Sequence, residues 1–270
     1  MRKIDSPEEL DVLLAPFDGQ ASFTNVFFFK EELVRLINAS LLFHELCGEN
    51  LFLYKYREDL NFYEVFYFIN NVRPGKCPDQ KGHFVMEIPY RGIKNFPHAM
   101  VDFWLNAGFQ QHINRDLLGL NHLDKSILEP AEQGFKLQIL NDITLSSSVF
   151  EGIANTFDKY TGDVISLSAA KEAIQAGQVL GAYSDGKLVG FLHFYDKNSV
   201  SWIGHLVVFP RHKGKGIGKA LVKHYLKIRS EQGFANFQQW VVSDNTSAQN
   251  LYRNFGFKST NKCSLSLLKL

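Results

Sequence analysis

An α/β (α+β) protein that carries one fold twice is what this chain of 270 residues predicts, and three observations lead there. Aromatic and β-branched runs of strand length alternate with helix-forming segments along most of the sequence. A strand, a glycine-rich loop and a helix follow one another at 206–221, L-V-V-F-P-R-H-K-G-K-G-I-G-K-A-L. Finally, N-F-P-H-A-M-V-D-F-W-L-N-A-G-F at 95–109 has a shorter cousin at 245–257, N-T-S-A-Q-N-L-Y-R-N-F-G-F. From Phe103 onward the two match without a gap: Phe103 with Leu251, Trp104 with Tyr252, Asn106 with Asn254, and Gly108-Phe109 with Gly256-Phe257. An internal repeat of this kind implies two copies of one supersecondary plan.

Taken in order, the first forty-odd residues read as helical, opening on Ser6-Pro7-Glu8-Glu9, a cap residue, a proline at the first helical position and acids in the first turn. Segments 50–56 and 63–69 are rich in Phe, Tyr, Leu and Val around a polar turn, which predicts a β-hairpin. A Pro, Gly and Lys-containing loop is expected at 70–82 and a short strand at 83–88. Polar clusters from 117 and the Glu129-Pro130 step place a domain boundary near 130, giving domains 1–130 and 131–270. The second domain opens with a strand at 135–140 and continues with helical patterns at 146–157 and 167–176. Strands at 179–183 and 188–195 flank Ser184-Asp185-Gly186-Lys187, a hairpin signal. A strand at 199–208 then delivers the chain to the glycine loop, and the helix behind it stops at Gly233. Strands at 237–242 and 264–268 end the chain.

Composition narrows the function. A 45% hydrophobic content supports a packed core, and 29 basic against 28 acidic residues leave no global field for nucleic acid or an acidic membrane. Cys47, Cys77 and Cys263 show no metal-ligand or CxxC spacing, so neither a metal nor a disulfide framework is expected and a cytoplasmic location is the default. No apolar run approaches the roughly 20 residues that span a bilayer.

The chemistry sits at 206–221. Glycine lets the backbone adopt positive φ and approach a ligand, and the first amides of the following helix lack intrahelical partners, so the loop suits a phosphate or pyrophosphate. Two better-known phosphate loops do not fit. A P-loop needs glycine five residues before its Gly-Lys pair and Ser or Thr after it, whereas Gly218-Lys219 has Lys213 before it and Ala220 after it. A dinucleotide fingerprint needs a glycine three residues after its second, where this chain has Lys219 or Leu221.

The spacing Val208, Pro210, Lys213, Gly216, Gly218 resembles the acyl-CoA pyrophosphate loop of the GNAT superfamily of N-acetyltransferases, with Lys213 where that family usually has Arg or Gln. The element order of the second half resembles the GNAT fold, a mixed, mostly antiparallel sheet flanked by helices. The first half resembles it as a degenerate copy without the pyrophosphate loop. The resemblance implies acetyl-CoA as acyl donor and substrate, with no metal. Leu206, Val207 and Val208 would offer strand backbone to the pantetheine arm, and Lys213, Gly214, Lys215, Gly216, Ile217 and Gly218 would hold the pyrophosphate.

Tyr252 falls on the tyrosine that many members place near the CoA sulfur as general acid, while its counterpart Trp104 has no comparable acid, which implies one active site. Asn245 is either a helix cap or a pantetheine contact. For the general base His205 and His193 are the candidates. Cys263 has nothing beside it to activate a nucleophile, so direct acyl transfer to an amine in a ternary complex is expected. A small-molecule amine is favoured over a protein lysine or N-terminus. The competing readings are a catalytically silent acyl-CoA-binding regulatory or scaffold protein and an ATP or NAD binder; oligomeric state is left open.

Overall fold

The computed structural model describes residues 1–17, 23–26, 30–70, 82–128 and 134–270; the boundary expected near 130 and nearly all of the loop expected at 70–82 lie outside the described residues. The chain divides into two compact units, Met1–Asn114 with Lys262–Leu270, and Arg115–Asn261. The first unit contains β1 (Arg2–Lys3), α1 (Pro7–Leu14), β2 (Phe23–Thr24), α2 (Lys30–Asn38), β3 (Leu42–Cys47), β4 (Asn50–Arg57), β5 (Phe62–Ile69), β6 (Phe84–Arg91) and α3 (His98–Asn106). A long strand, β7 (Gln110–Leu120), runs from it into the second unit. That unit continues with β8 (Lys136–Ile139), α4 (Ser146–Ala154), α5 (Leu167–Gln175), β9 (Val179–Ser184), β10 (Lys187–Lys197), β11 (Val200–Val208), α6 (Ile217–Glu231), β12 (Asn236–Val242) and α7 (Thr246–Arg253). The last strand, β13 (Lys258–Lys269), returns to the first unit from Lys262. Among the described residues no helix is long and apolar enough to cross a membrane.

In the first unit the strands lie in the order β1, β3, β4, β5, β6, β13, antiparallel except for β5 and β6. The expected hairpin is present, with Arg57 opposite Phe62 and a left-handed Asn61 in its turn. The opening helix also forms as its sequence dictates, the Ser6 side chain accepting from the Glu9 amide with Pro7 at the start. The strands β1, β2 and β3 were not expected in the helical reading of the first forty-odd residues. In β3, Leu42 and His44 are buried in alternation with less buried neighbours, the signature of a half-covered strand.

Strand order in the second unit is β7, β12, β11, β10, β9, β8, again antiparallel except for one pair, β11 with β12. The turn between β9 and β10 has both Asp185 and Gly186 at positive φ, as a two-residue hairpin turn requires. The final strand differs from expectation. It pairs with β6 in the first unit, and the place beside β12 is taken by Arg115–Leu120 of β7, where no strand was expected. Its alternation explains the fit: Leu265 and Leu267 enter the aromatic core of the first unit, while the Ser264 and Ser266 hydroxyls donate to the Glu87 carboxylate across the strand pair.

The repeated helices behave alike. In α3, Gly108 is left-handed and the Phe109 amide donates to the Trp104 carbonyl at 3.1 Å; in α7, Gly256 is left-handed and Phe257 donates to Tyr252 at 3.2 Å. In both, the aromatic after glycine meets the earlier ring nearly edge-on, at 5.0 Å for Trp104–Phe109 and 5.6 Å for Tyr252–Phe257.

Each unit also holds a parallel pair that runs together for three residues only. In the first, Tyr63, Glu64 and Val65 pair with Phe84, Val85 and Met86. Beyond them the side chain of Asn25 bridges the strands: its Nδ2 donates to the Val65 carbonyl at 3.0 Å and the Glu87 carbonyl at 3.1 Å, and its Oδ1 accepts from the Tyr67 amide at 3.0 Å. Replacing Asn25 with Ala leaves three main-chain groups without that partner, so urea unfolding should show a loss of roughly 2–4 kcal/mol. A loss below about 0.5 kcal/mol would mean that the bridge contributes nothing.

Candidate active site

In the second unit no side-chain hydrogen bond among the described residues bridges the corresponding strands. Val200, Ser201 and Trp202 pair with Asn236, Phe237 and Gln238; past that point β11 and β12 have no mutual register, so residues 203–208 of β11 present a main-chain edge to a gap. On its other side β11 stays paired with β10 as far as Val208 opposite Gly190.

A bulge sets which side chains line the gap. His193 faces His205 and Phe194 faces Ile203, leaving Gly204 unopposed. One extra residue reverses the alternation. Before it, Ser201 takes hydrogen bonds from Tyr225 and Arg229 of α6 at 2.9 and 3.1 Å, and Ile203 joins the same core. After it, Leu206 and Val208 pack on that core, while His205 turns to the opposite face.

The loop then folds as its glycines demand. A 3-10 turn at Pro210–His212 leads to Lys213, and Gly214 and Gly216 adopt φ of 77° and 80° with open space where a Cβ would point. Gly216 starts α6 without a side-chain cap. The first intrahelical bond is Ala220 to the Gly216 carbonyl at 3.0 Å, so the amides of Ile217, Gly218 and Lys219 precede the ladder. Arg211, Lys213, Lys215 and Lys219 are exposed around them. Ile217 is buried and anchors the helix start, an approach made possible by Gly190: a Cβ there would lie 2.7 Å from the Val207 carbonyl and 3.2 Å from Ile217. Gly218 faces an apolar wall of Leu251, Val208 and Leu206, 3.7–3.8 Å from where its Cβ would be.

The expected site residues thus divide. Leu206, Val208, Gly218 and the Lys213–Gly216 loop converge on one end of the gap. Val207 turns its side chain away, leaving only its backbone for the edge. Tyr252 is buried in the core that Leu206, Val208 and Leu251 pack against, and burial, then Tyr225, pushes its hydroxyl above the usual phenol range, so it is protonated at neutral pH. Asn245 caps α7, its Oδ1 accepting from the Ala248 amide at 3.0 Å. His205 lies apart from Leu206 and Val208, on the α4 face, with Nδ1 3.1 Å from Nδ1 of His193 and Nε2 3.0 Å from the Gly162 carbonyl.

Sequence reasoning missed Gly162, Gly204 and Gln239. Gly162 closes a turn in which the Asp158 side chain accepts from the amides of Tyr160 and Thr161, and a Cβ at 162 would stand 2.5 Å from the Asp158 carbonyl. Gln239 is 3% exposed on the splayed part of β12, on the same face as the core residues Phe237 and Val241, and its Nε2 has no partner among the described residues. Ser243 Oγ at the end of that strand is likewise orphaned. Two unsatisfied polar atoms beside an unpaired strand edge fit an extended ligand with amide groups, and the loop fits its phosphates.

The histidines carry a measurable consequence. Burial, then the neighbouring His205, lowers His193 to about 4 from 6.5, and burial also lowers His205 against the opposing pull of the Gly162 carbonyl. A folded value below the unfolded one stabilises above the unfolded pKa, and that stability is lost as pH falls through the folded one. His193 alone should therefore cost about 3 kcal/mol between pH 6.5 and 4. Urea midpoints at pH 7.5, 6 and 5 should show a steeper decline in the wild type than in His193→Gln; equal slopes would contradict this assignment.

Comparison with known proteins agrees with this geometry. Residues 150–257 match the family model described as Acetyltransferase (GNAT) family. A streptothricin acetyltransferase of Escherichia coli is 29% identical over 128 residues, 47% of this chain and 72% of that protein. The crystal structure of a GCN5-related N-acetyltransferase from Sphaerobacter thermophilus superposes with a TM-score of 0.65 at 13% identity, covering 99% of this chain and 94% of that one. A tandem GNAT protein from the clavulanic acid biosynthesis pathway gives 0.56 at 14% identity, covering 81% and 78%. Residues 150–257 therefore carry a domain similar to the GNAT family of acetyltransferases, on a GNAT fold.

Proposed function

We propose that the second unit binds acetyl-CoA along the gap between β11 and β12 and transfers its acetyl group directly to an amine. The observation that carries this reading is the combination at one end of that gap: a strand edge unpaired after Trp202 that leads straight into a loop with two left-handed glycines and a cationic rim. The edge of 203–208 pairs with the pantetheine arm in place of a strand, and Gln239 and the Asn245 Nδ2, the end of that amide not used in the cap, supply side-chain bonds. The amides of Ile217, Gly218 and Lys219, with Lys213 and Lys215, hold the pyrophosphate; Lys213 acts as a point charge and lacks the fork of an arginine.

In the transfer, the acceptor nitrogen forms a bond to the acetyl carbon and the carbon–sulfur bond breaks. A main-chain amide of the β11 edge stabilises the oxygen as it gains charge. Tyr252, kept protonated by burial, donates to the departing sulfur, and the proton of the amine passes to a base. The first unit is a GNAT-like copy that binds no acyl-CoA, because Asn25 bridges its strands where the second unit is open. The acceptor is a small-molecule amine, in keeping with the activity for which the Escherichia coli relative is named. On the α4 face Tyr195 and Trp202 stack with rings parallel, 6.2 Å between centroids, a surface suited to a cationic acceptor.

Calorimetry should show acetyl-CoA binding and no comparable binding of ATP or NAD; a protein that ignores acetyl-CoA overturns the reading. Lys213→Ala should weaken binding about 3–10-fold and flatten its salt dependence, as loss of one exposed phosphate contact does. In a CoA-thiol release assay with a panel of small amines, Tyr252→Phe should lower kcat by about 10–100-fold while the acetyl-CoA Kd stays within about twofold. Binding without release for every amine would make the protein an acyl-CoA sensor instead.

A further inference from the structure

The histidine pair on the α4 face has only one arrangement of protons that satisfies its neighbours. The Gly162 carbonyl can only accept, so the His205 Nε2 beside it at 3.0 Å carries a proton. Burial disfavours a charged ring, and a neutral imidazole with its proton on Nε2 has a lone pair on Nδ1. The His193 Nδ1 lies 3.1 Å from that lone pair and must donate to it. His193 therefore keeps its own lone pair on Nε2, for which no partner exists among the described residues.

Resting on the acyl transfer proposed above, we propose that His193 is the base that receives the amine proton and that His205 is the positioning residue that fixes its tautomer. His205 cannot take the proton itself, because the Gly162 carbonyl occupies one nitrogen and His193 the other. His193 is placed for the task by the bulge. Its ring lies over Gly204, where a Cβ would stand 2.9 Å from its Nδ1, and Gly204 begins the stretch of β11 that has no partner in β12. The Gly162 end is held independently of substrate: the Gly162 amide donates to the Asp158 carbonyl at 2.8 Å, and the Arg115 guanidinium donates to the Thr161 carbonyl at 2.5 Å. Phe157 meets the His205 ring edge-on at 4.8 Å, Tyr195 lies beside His193, and the Asp163 carboxylate acts on both His205 and Tyr195. In the step itself the N–H bond of the attacking amine breaks, its proton joins His193 Nε2, and the proton then leaves to solvent as the amide product departs.

Long-range ¹H–¹⁵N correlation of the histidine rings in the full chain tests the arrangement without turnover. His205 should carry its proton on Nε2 and His193 on Nδ1; a proton on His193 Nε2 in the resting protein overturns the inference. In the CoA-thiol assay His193→Ala should lower kcat about 100-fold or more with the acetyl-CoA Kd within about twofold. His205→Leu, which removes the acceptor, should lower kcat and shift the His193 proton toward Nε2. His205→Asn, whose carbonyl can sit where Nδ1 was, should restore both. Wild-type turnover in His193→Ala defeats the base assignment alone, whereas a wild-type protein that binds no acetyl-CoA defeats the parent reading.

Discussion

Main-chain hydrogen bonding is the constraint on which both units depend. Two parallel strands that pair for three residues and then part leave amides and carbonyls facing a gap, and such groups need partners. In the first unit the protein answers from within: Asn25 bonds both strands, and β2 adds two residues to β5 just beyond, Phe23 opposite Ile69 and Thr24 opposite Phe68. In the second unit the same divergence, past Trp202 and Gln238, has no such side-chain bridge among the described residues. A small carboxamide and a pantetheine amide offer the same donor and acceptor, so in the proposed reading one gap is closed by a residue and the other by the substrate.

The glycines divide the remaining work among three needs. Gly214 and Gly216 are needed for backbone handedness, since their φ values lie where a side chain is strained although nothing occupies the space. Gly190 is needed for approach, letting Ile217 seat the start of α6 against β11. Gly204 is needed for both the bulge and the room above it. Without the bulge Leu206 and Val208 would share the face of Trp202, and His205 would point into the α6 core. A single inserted residue therefore sorts the site into an apolar wall on one face of the sheet and an imidazole pair on the other.

Much of this could be read in the chain before any coordinates. The loop spacing, the Asp185-Gly186 hairpin and the two Gly-Phe helix ends are local signals, fixed by residues a few positions apart, and each formed where it was expected. What was not legible depends on pairing across long separations. The segment Q-Q-H-I-N-R-D-L-L-G-L of β7 is too polar to announce a strand, yet it follows Gly108-Phe109 as β13 follows Gly256-Phe257. Extending the repeat by one element would have found it. Which sheet each of these strands would join was beyond the pattern, because the deciding partner of Ser264 and Ser266, Glu87, lies more than 170 residues away. His193 and His205 were visible as strand histidines, but their pairing depends on a bulge that no composition signal marks.

The imidazole pair also bears on how the face opposite the apolar wall is built. A histidine alone on a buried strand can hold its proton on either nitrogen, and only one choice leaves a base pointing outward. The chain removes the choice by fixing a carbonyl, Gly162, at the far end of a two-ring relay, and it fixes that carbonyl with the Asp158 turn and with Arg115, the first residue of the second unit. Arg115 lies on β7, the strand that leaves the first unit to flank β12. The same strand thus completes the sheet beside β12 and, through Thr161 and Gly162, holds the carbonyl that ends the proposed two-ring relay.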